Sequence, residues 1–215
     1  MEKKDFVKYL NSQIEAYIAR FNLSQISIVY SKNILSIKQL GKIVGYIEFK
    51  YLTGGQLSVG ALASICTSVK IFGGEMWNEI SNNELLVKKV VNPYTDYLFC
   101  FYSSFSKNRL FKNAKTDFLI SDNIENRIVE FLNFIRDELI VKICNILLQN
   151  SVALEDILNT PSYYGQPEIS LLLLCKNNHD EGLLSAIEQD KRFINSSNID
   201  KKIWKINKTI IWGKL

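Results

Sequence analysis

The sequence predicts an α+β fold, with an N-terminal helix, a largely antiparallel β-sheet and a helical C-terminal half containing one long helix. Changes in hydrophobic period carry that prediction. Apolar residues recur every three or four positions up to Phe21, alternate with polar ones from Gln25 to Tyr51, and return to helical spacing from Ser121 onward. Strands gathered first and helices after them favour α+β over a βαβ-wound sheet. A single domain over residues 1–215 is expected, with helix and sheet in 1–120, mainly helix in 121–215 and a possible terminal strand.

In the first helix, Phe6, Leu10, Ile14, Tyr17, Ile18 and Phe21 form one stripe, and Asn22 is the natural stop. The alternating stretches QISIVYS, ILSIK and KIVGYIEFKY then read as a three-stranded meander turning at Lys32-Asn33 and Gly41. In the third stretch, Ile43, Gly45, Ile47, Phe49 and Tyr51 are expected on one face, with Glu48 and Lys50 opposite. TGGQ closes the meander. LSVGALASICTSVKIFGG suits either a strand or a helix pressed on a sheet, and its long alternation favours the strand. EMWNEISNNELLVKKVVNP predicts short helical or irregular structure, DYLFCFYSSF an aromatic strand, and RLFKNAKTDFLIS an edge element.

From Ser121 the pattern is helical without interruption. Ile124, Ile128, Phe131, Ile135, Leu139, Ile143 and Ile146 share a face, and Asp122 with Glu125 has capping-box spacing. At 1.5 Å per residue, such a helix is roughly 40 Å long. SVALEDILNTP follows as a short helix with Ser151 as its cap. PEISLLLLCKN carries Pro167 in its first turn, and DEGLLSAIEQD places carboxylates at a helix start.

Composition narrows the function. Hydrophobic residues make up 47% and charged residues 22%, too apolar for disorder. The N-terminal segment lacks the apolar core of a signal peptide, and no apolar run approaches the roughly 20 residues of a membrane span, so a soluble, cytoplasmic protein is expected. The four cysteines lie far apart with no CxxC pair, which argues for buried thiols and against a zinc cage. The glycines of TGGQLSVG form neither a dinucleotide fingerprint nor a P-loop. Neither a cofactor nor a metal is expected.

The only histidine sits in CKNNHDEG, four residues after Cys175. A nucleophile–base pair of Cys175 and His179 would need one continuous helix, but Asn177-Asn178 terminates helices and Asp180 is the natural cap of the next one. The stretch therefore reads as an interhelical loop, and no catalytic residue is assigned. An enzyme would rest on carboxylates, lysine or tyrosine; the candidate carboxylates Glu48, Glu75, Glu79, Glu84, Asp96 and Asp117 form no motif.

Two stretches interleave cations with aromatics, over residues 105–115 and 201–214. The first offers Lys107, Arg109, Phe111 and Lys112, and the second Lys202, Trp204 and Lys205. These are the candidate partner-binding residues, for a protein or, alternatively, for nucleic acid. The competing structural reading makes Trp204, Ile206, Ile210 and Trp212 one face of a terminal strand whose lysines keep it soluble.

The stretch YYGQPEISLLLLCKNNHDEGLLSAI resembles small bacterial immunity proteins, which bind and block a cognate toxin; it covers about an eighth of the chain. The resemblance implies a non-enzymatic cytoplasmic protein-binding module with a toxin as partner. The chain departs from that group in its net charge of +4. Immunity proteins against basic nucleases tend to be acidic, so a toxin of another kind is implied.

Overall fold

The computed structural model describes residues 3–20, 25–53, 62–89, 96–102, 117–119 and 124–213. Two compact units emerge from its contacts: Met1–Val69 with Phe101–Val141, and Lys70–Cys100 with Lys142–Leu215. The expected α+β order holds: a helix, an antiparallel sheet, then helices.

The first unit begins with α1 (Lys3–Ile18), followed by β1 (Ile26–Ser31), β2 (Ile34–Gln39) and β3 (Lys42–Thr53). Next come β4 (Leu62–Ile71), β5 (Phe99–Tyr102) and β6 (Asp117–Leu119), with strand order β1-β2-β3-β4-β5 and β6 also pairing β4. The chain passes between the units within β4, within β5 and again after Val141. Both hairpin turns use consecutive left-handed residues, Lys32-Asn33 (φ 49° and 68°) and Leu40-Gly41 (φ 49° and 79°). That geometry matches the right-handed twist of the strands on either side.

Leu35, Ile37, Ile47 and Phe49 point into the core of this unit, as do Leu10, Ile14 and Ile18 of α1. Phe49 meets Phe131 edge to face at 5.7 Å. The Tyr30 hydroxyl donates to Asn11 Oδ1 at 2.5 Å, tying β1 to α1.

One expected face is corrected. Ile43 is 57% exposed, while Val44 is buried. A β-bulge shifts the register between Ile37, which faces Gly45, and Lys38, which faces Ile43, so Val44 is the extra residue. One inserted residue reverses the facing of everything before it.

The long helix runs from α3 (Ile124–Phe134) through a π-helical turn (Ile135–Ile140) into α4 (Val141–Leu147). Ile128, Phe131, Ile135, Leu139, Ile143 and Ile146 are all buried, as the spacing predicts. The π turn itself has no counterpart in the pattern. The Asp122 end of the proposed capping box lies outside the described residues, as do Gly54, Gly55 and Gln56 of TGGQ and the stretch 105–115.

The second unit holds α2 (Glu75–Asn82), α5 (Val152–Asn159), α6 (Pro167–Asn177), α7 (Glu181–Gln189), α8 (Lys191–Asn195) and α9 (Lys201–Trp212). Helix α6 is its axis: Pro167 through Cys175 are all buried, with α2, α5, α7 and α9 packed around them. Ser151 precedes α5 in a helical conformation and makes no side-chain cap, contrary to expectation.

The terminal strand is also corrected, because residues 201–212 form a helix. Asp200 caps it by accepting from the Lys202 and Ile203 amides. Trp204 and Asn207, three residues apart, face inward, whereas Ile206 is exposed. An inward-facing asparagine breaks the apolar signature that would have marked the helix, and leaves a misleading alternation.

Candidate protein-binding groove

Three aspartates at ten-residue intervals start the last three helices. Asp180 accepts from the Leu183 amide at 3.2 Å, Asp190 from the Arg192 amide at 2.7 Å, and Asp200 from the Lys202 amide at 2.8 Å. Each satisfies amides that a helix start leaves without partners. Asp180 is the cap expected from sequence, while Asp190 and Asp200 carry the same signal ahead of Lys-Arg and Lys-Lys pairs.

Between α7, α8 and α9 lies an open groove of about 610 Å³. This is within the range of roughly 300–1,000 Å³ usual for ligand sites. Its wall is aromatic. Trp204, 3% exposed, sets its ring edge to face on Phe193 at 4.8 Å. The Trp204 Nε1–H donates to Glu188 Oε1 at 2.9 Å, and Lys208 Nζ donates to the same oxygen at 2.9 Å. Partial burial works against the Glu188 carboxylate, but these two hydrogen bonds and the Lys208 charge outweigh it and hold its pKa below the usual value.

Lys201 Nζ stands 4.6 Å from the centre of the Phe193 ring and donates to the Ser196 and Ile199 carbonyls. Burial lowers its pKa, partly offset by the buried Glu168. Lys205 is exposed at the groove, and Ile194, 54% exposed, supplies an apolar edge.

Beneath α9 the unit is tied by buried polar groups. Glu168 is fully buried; it pairs with Lys89 Nζ at 2.7 Å and accepts from the Asp200 amide. Asn207 accepts from the Val87 amide at 2.9 Å and donates to the Val87 carbonyl at 2.8 Å. Gln166 treats Lys89 the same way, at 2.9 and 3.3 Å. Two side-chain amides thus imitate a neighbouring strand along residues 87–89 and fix the register of that segment against α6 and α9.

The expected interhelical loop is observed. Cys175, in the last turn of α6, is fully buried, and burial together with the Asp180 charge pushes its thiol up to about 12. A thiol held protonated makes a poor nucleophile. The left-handed residue closing α6 is His179 (φ 52°) rather than either asparagine. The His179 amide donates to the Lys176 carbonyl and the Asp180 amide to the Cys175 carbonyl, a Schellman closure. Asn177 and Asn178 instead reach Gln149 with their side-chain amides.

Of the candidate partner-binding residues, Trp204 and Lys205 come together in the groove. Lys202 is exposed at the start of the same helix. Lys107, Arg109, Phe111 and Lys112 lie outside the described residues. Lys201 and Lys208 of the same basic–aromatic stretch also line the groove, whereas Glu188, Phe193 and Ile194 carry no sequence signal beyond their helical period. Among the candidate carboxylates, Glu48 accepts from the Ser68 hydroxyl at 3.4 Å, whereas Glu75, Glu84 and Asp96 are exposed. Among the described residues, no three His, Cys, Asp or Glu side chains gather as metal ligands would, and no helix is long and apolar enough to cross a membrane. No protein-family model matches the sequence, and comparison with curated proteins and with solved structures finds no match.

Proposed function

We propose that the chain is a non-enzymatic protein-binding module whose docking surface is the groove between α7, α8 and α9. The observation that carries this reading is the groove itself: an exposed isoleucine and an exposed lysine beside a wall of interlocked aromatics. A partner residue seated on exposed Ile194 loses water there, and the buried Trp204–Phe193 pair keeps the groove pre-organised, as interface hot spots require. Neutralisation of a toxin is the setting we propose, supported by the resemblance of residues 163–187 to immunity proteins. That stretch forms α6 and most of α7, the scaffold on which one side of the groove stands.

Nucleic acid fits this groove less well. Base stacking needs an open aromatic face, and Trp204 is buried against Phe193 with its N–H already committed to Glu188.

The test is photo-crosslinking in the native host from a reactive residue replacing Ile194, with the same residue at exposed Val29 as control. The reading expects one protein captured from position 194, unaffected by nuclease, and whose toxicity the chain suppresses. Capture from position 29 alone, or products that vanish with nuclease, would contradict it.

A further inference from the structure

We infer that the segment seated in the α7–α9 groove is an acidic peptide stretch of the partner, an apolar side chain flanked by carboxylates. This rests on the groove being the docking surface and adds the chemistry of what docks. The lining sets three lysines, Lys201, Lys205 and Lys208, against one carboxylate, Glu188. Lys201, Lys205 and Lys208 are spaced by four and three residues, so they line one face of α9. The Lys208–Glu188 pair is internally neutral at 2.9 Å. Lys205 pairs with no carboxylate among the described residues, and Lys201 is turned to carbonyls and a ring. Lys205 is therefore left exposed at the groove with no carboxylate of the described residues to balance it.

The apolar component is equally specific. Ile194 lies at the groove 54% exposed, and an aliphatic or aromatic side chain seated on it would cover it. A purely anionic ligand would leave Ile194 wet, and a purely apolar one would cover the Lys205 ammonium group without pairing it. Only an occupant with both characters satisfies Ile194 and Lys205 together. The groove is open to solvent, so a segment of a folded partner can reach it from outside.

The experiment is a calorimetric titration of the whole chain with short synthetic peptides. One alternates Glu with Leu and Phe, a second replaces Glu by Lys, a third replaces Glu by Gln, and a single-stranded oligonucleotide completes the set. The acidic–apolar peptide is expected to bind about tenfold or more tighter than the Gln version. It should weaken as ionic strength rises from about 0.01 M to about 0.15 M, and the Lys version should not bind. Lys205→Glu and Ile194→Asp, both at exposed positions, should each lose about tenfold with an unchanged far-ultraviolet spectrum. Equal binding of the Gln peptide, tighter binding of the Lys peptide, or equal binding of the oligonucleotide would overturn the acidic-segment inference. So would binding by no peptide at all. None of these outcomes touches the docking reading, which stands or falls on capture from position 194.

Discussion

The sheet unit and the helical unit solve the same problem with different materials. In the first, Leu35, Ile37, Ile47 and Phe49 are buried, Phe49 against Phe131 of α3, and burial of hydrocarbon supplies the stabilisation. In the second, an equally apolar α6 is accompanied by Glu168, Gln166 and Asn207, each buried and each bound to residues 87–89. Hydrocarbon packing tolerates volume-conserving change, whereas a buried polar group is tied to one geometry and one partner. The lesson is that α9, the floor of the groove, is held in register by polar clamps rather than by its own modest apolar face.

Shape-conserving substitutions sharpen this contrast most. Glu168→Gln keeps the volume but removes the charge facing Lys89, and should cost about 3 kcal/mol, the lower end of the range for breaking a buried pair, because Lys89 keeps some water. Ile47→Val, at an equally buried site of the sheet unit, should cost about 1 kcal/mol. Urea midpoints of the two variants measure the difference, and equal costs would erase the distinction.

The next effect in size is Asn207→Asp. The new carboxylate still accepts from the Val87 amide but sets a second oxygen against the Val87 carbonyl, where the amide now donates at 2.8 Å. A loss of about 2 kcal/mol is expected, with faster amide exchange at residues 87–89. Unchanged exchange there would show that the clamp does not hold the segment.

The smallest effect is electrostatic. Arg192 hydrogen-bonds Asp190 and holds its pKa at about 2, well below the usual carboxylate range, and also pairs with Glu155 at 2.6 Å. A depressed folded-state pKa stabilises above the unfolded value of about 3.9 and loses that contribution as pH falls toward about 2. The melting temperature should therefore drop across that window by more in the parent than in Arg192→Met. The guanidinium is partly exposed, so the difference should be slight and should shrink with added salt.

These contrasts also explain what the sequence discloses. The meander, the long helix and the α6–α7 loop are legible because period, turn residues and the Asp180 cap agree with one another. The bulge at Val44 is illegible, since a register shift depends on the partner strand. Helix α9 is misread because its inward positions include Asn207, whose partner lies 120 residues away in the chain. Of the groove, Trp204 and Lys205 are visible as a basic–aromatic stretch. Glu188, Phe193 and Ile194 join them only after α7 and α8 fold back on α9, and no local pattern encodes that meeting.

The central claim, that the α7–α9 groove is where this protein meets its partner, is tested most directly by hydrogen–deuterium exchange with and without the protein captured from position 194. Slowed exchange concentrated in residues 188–209, with residues 26–48 unchanged, is the predicted result. Protection confined to the sheet, with residues 188–209 exchanging as in the free chain, would contradict it.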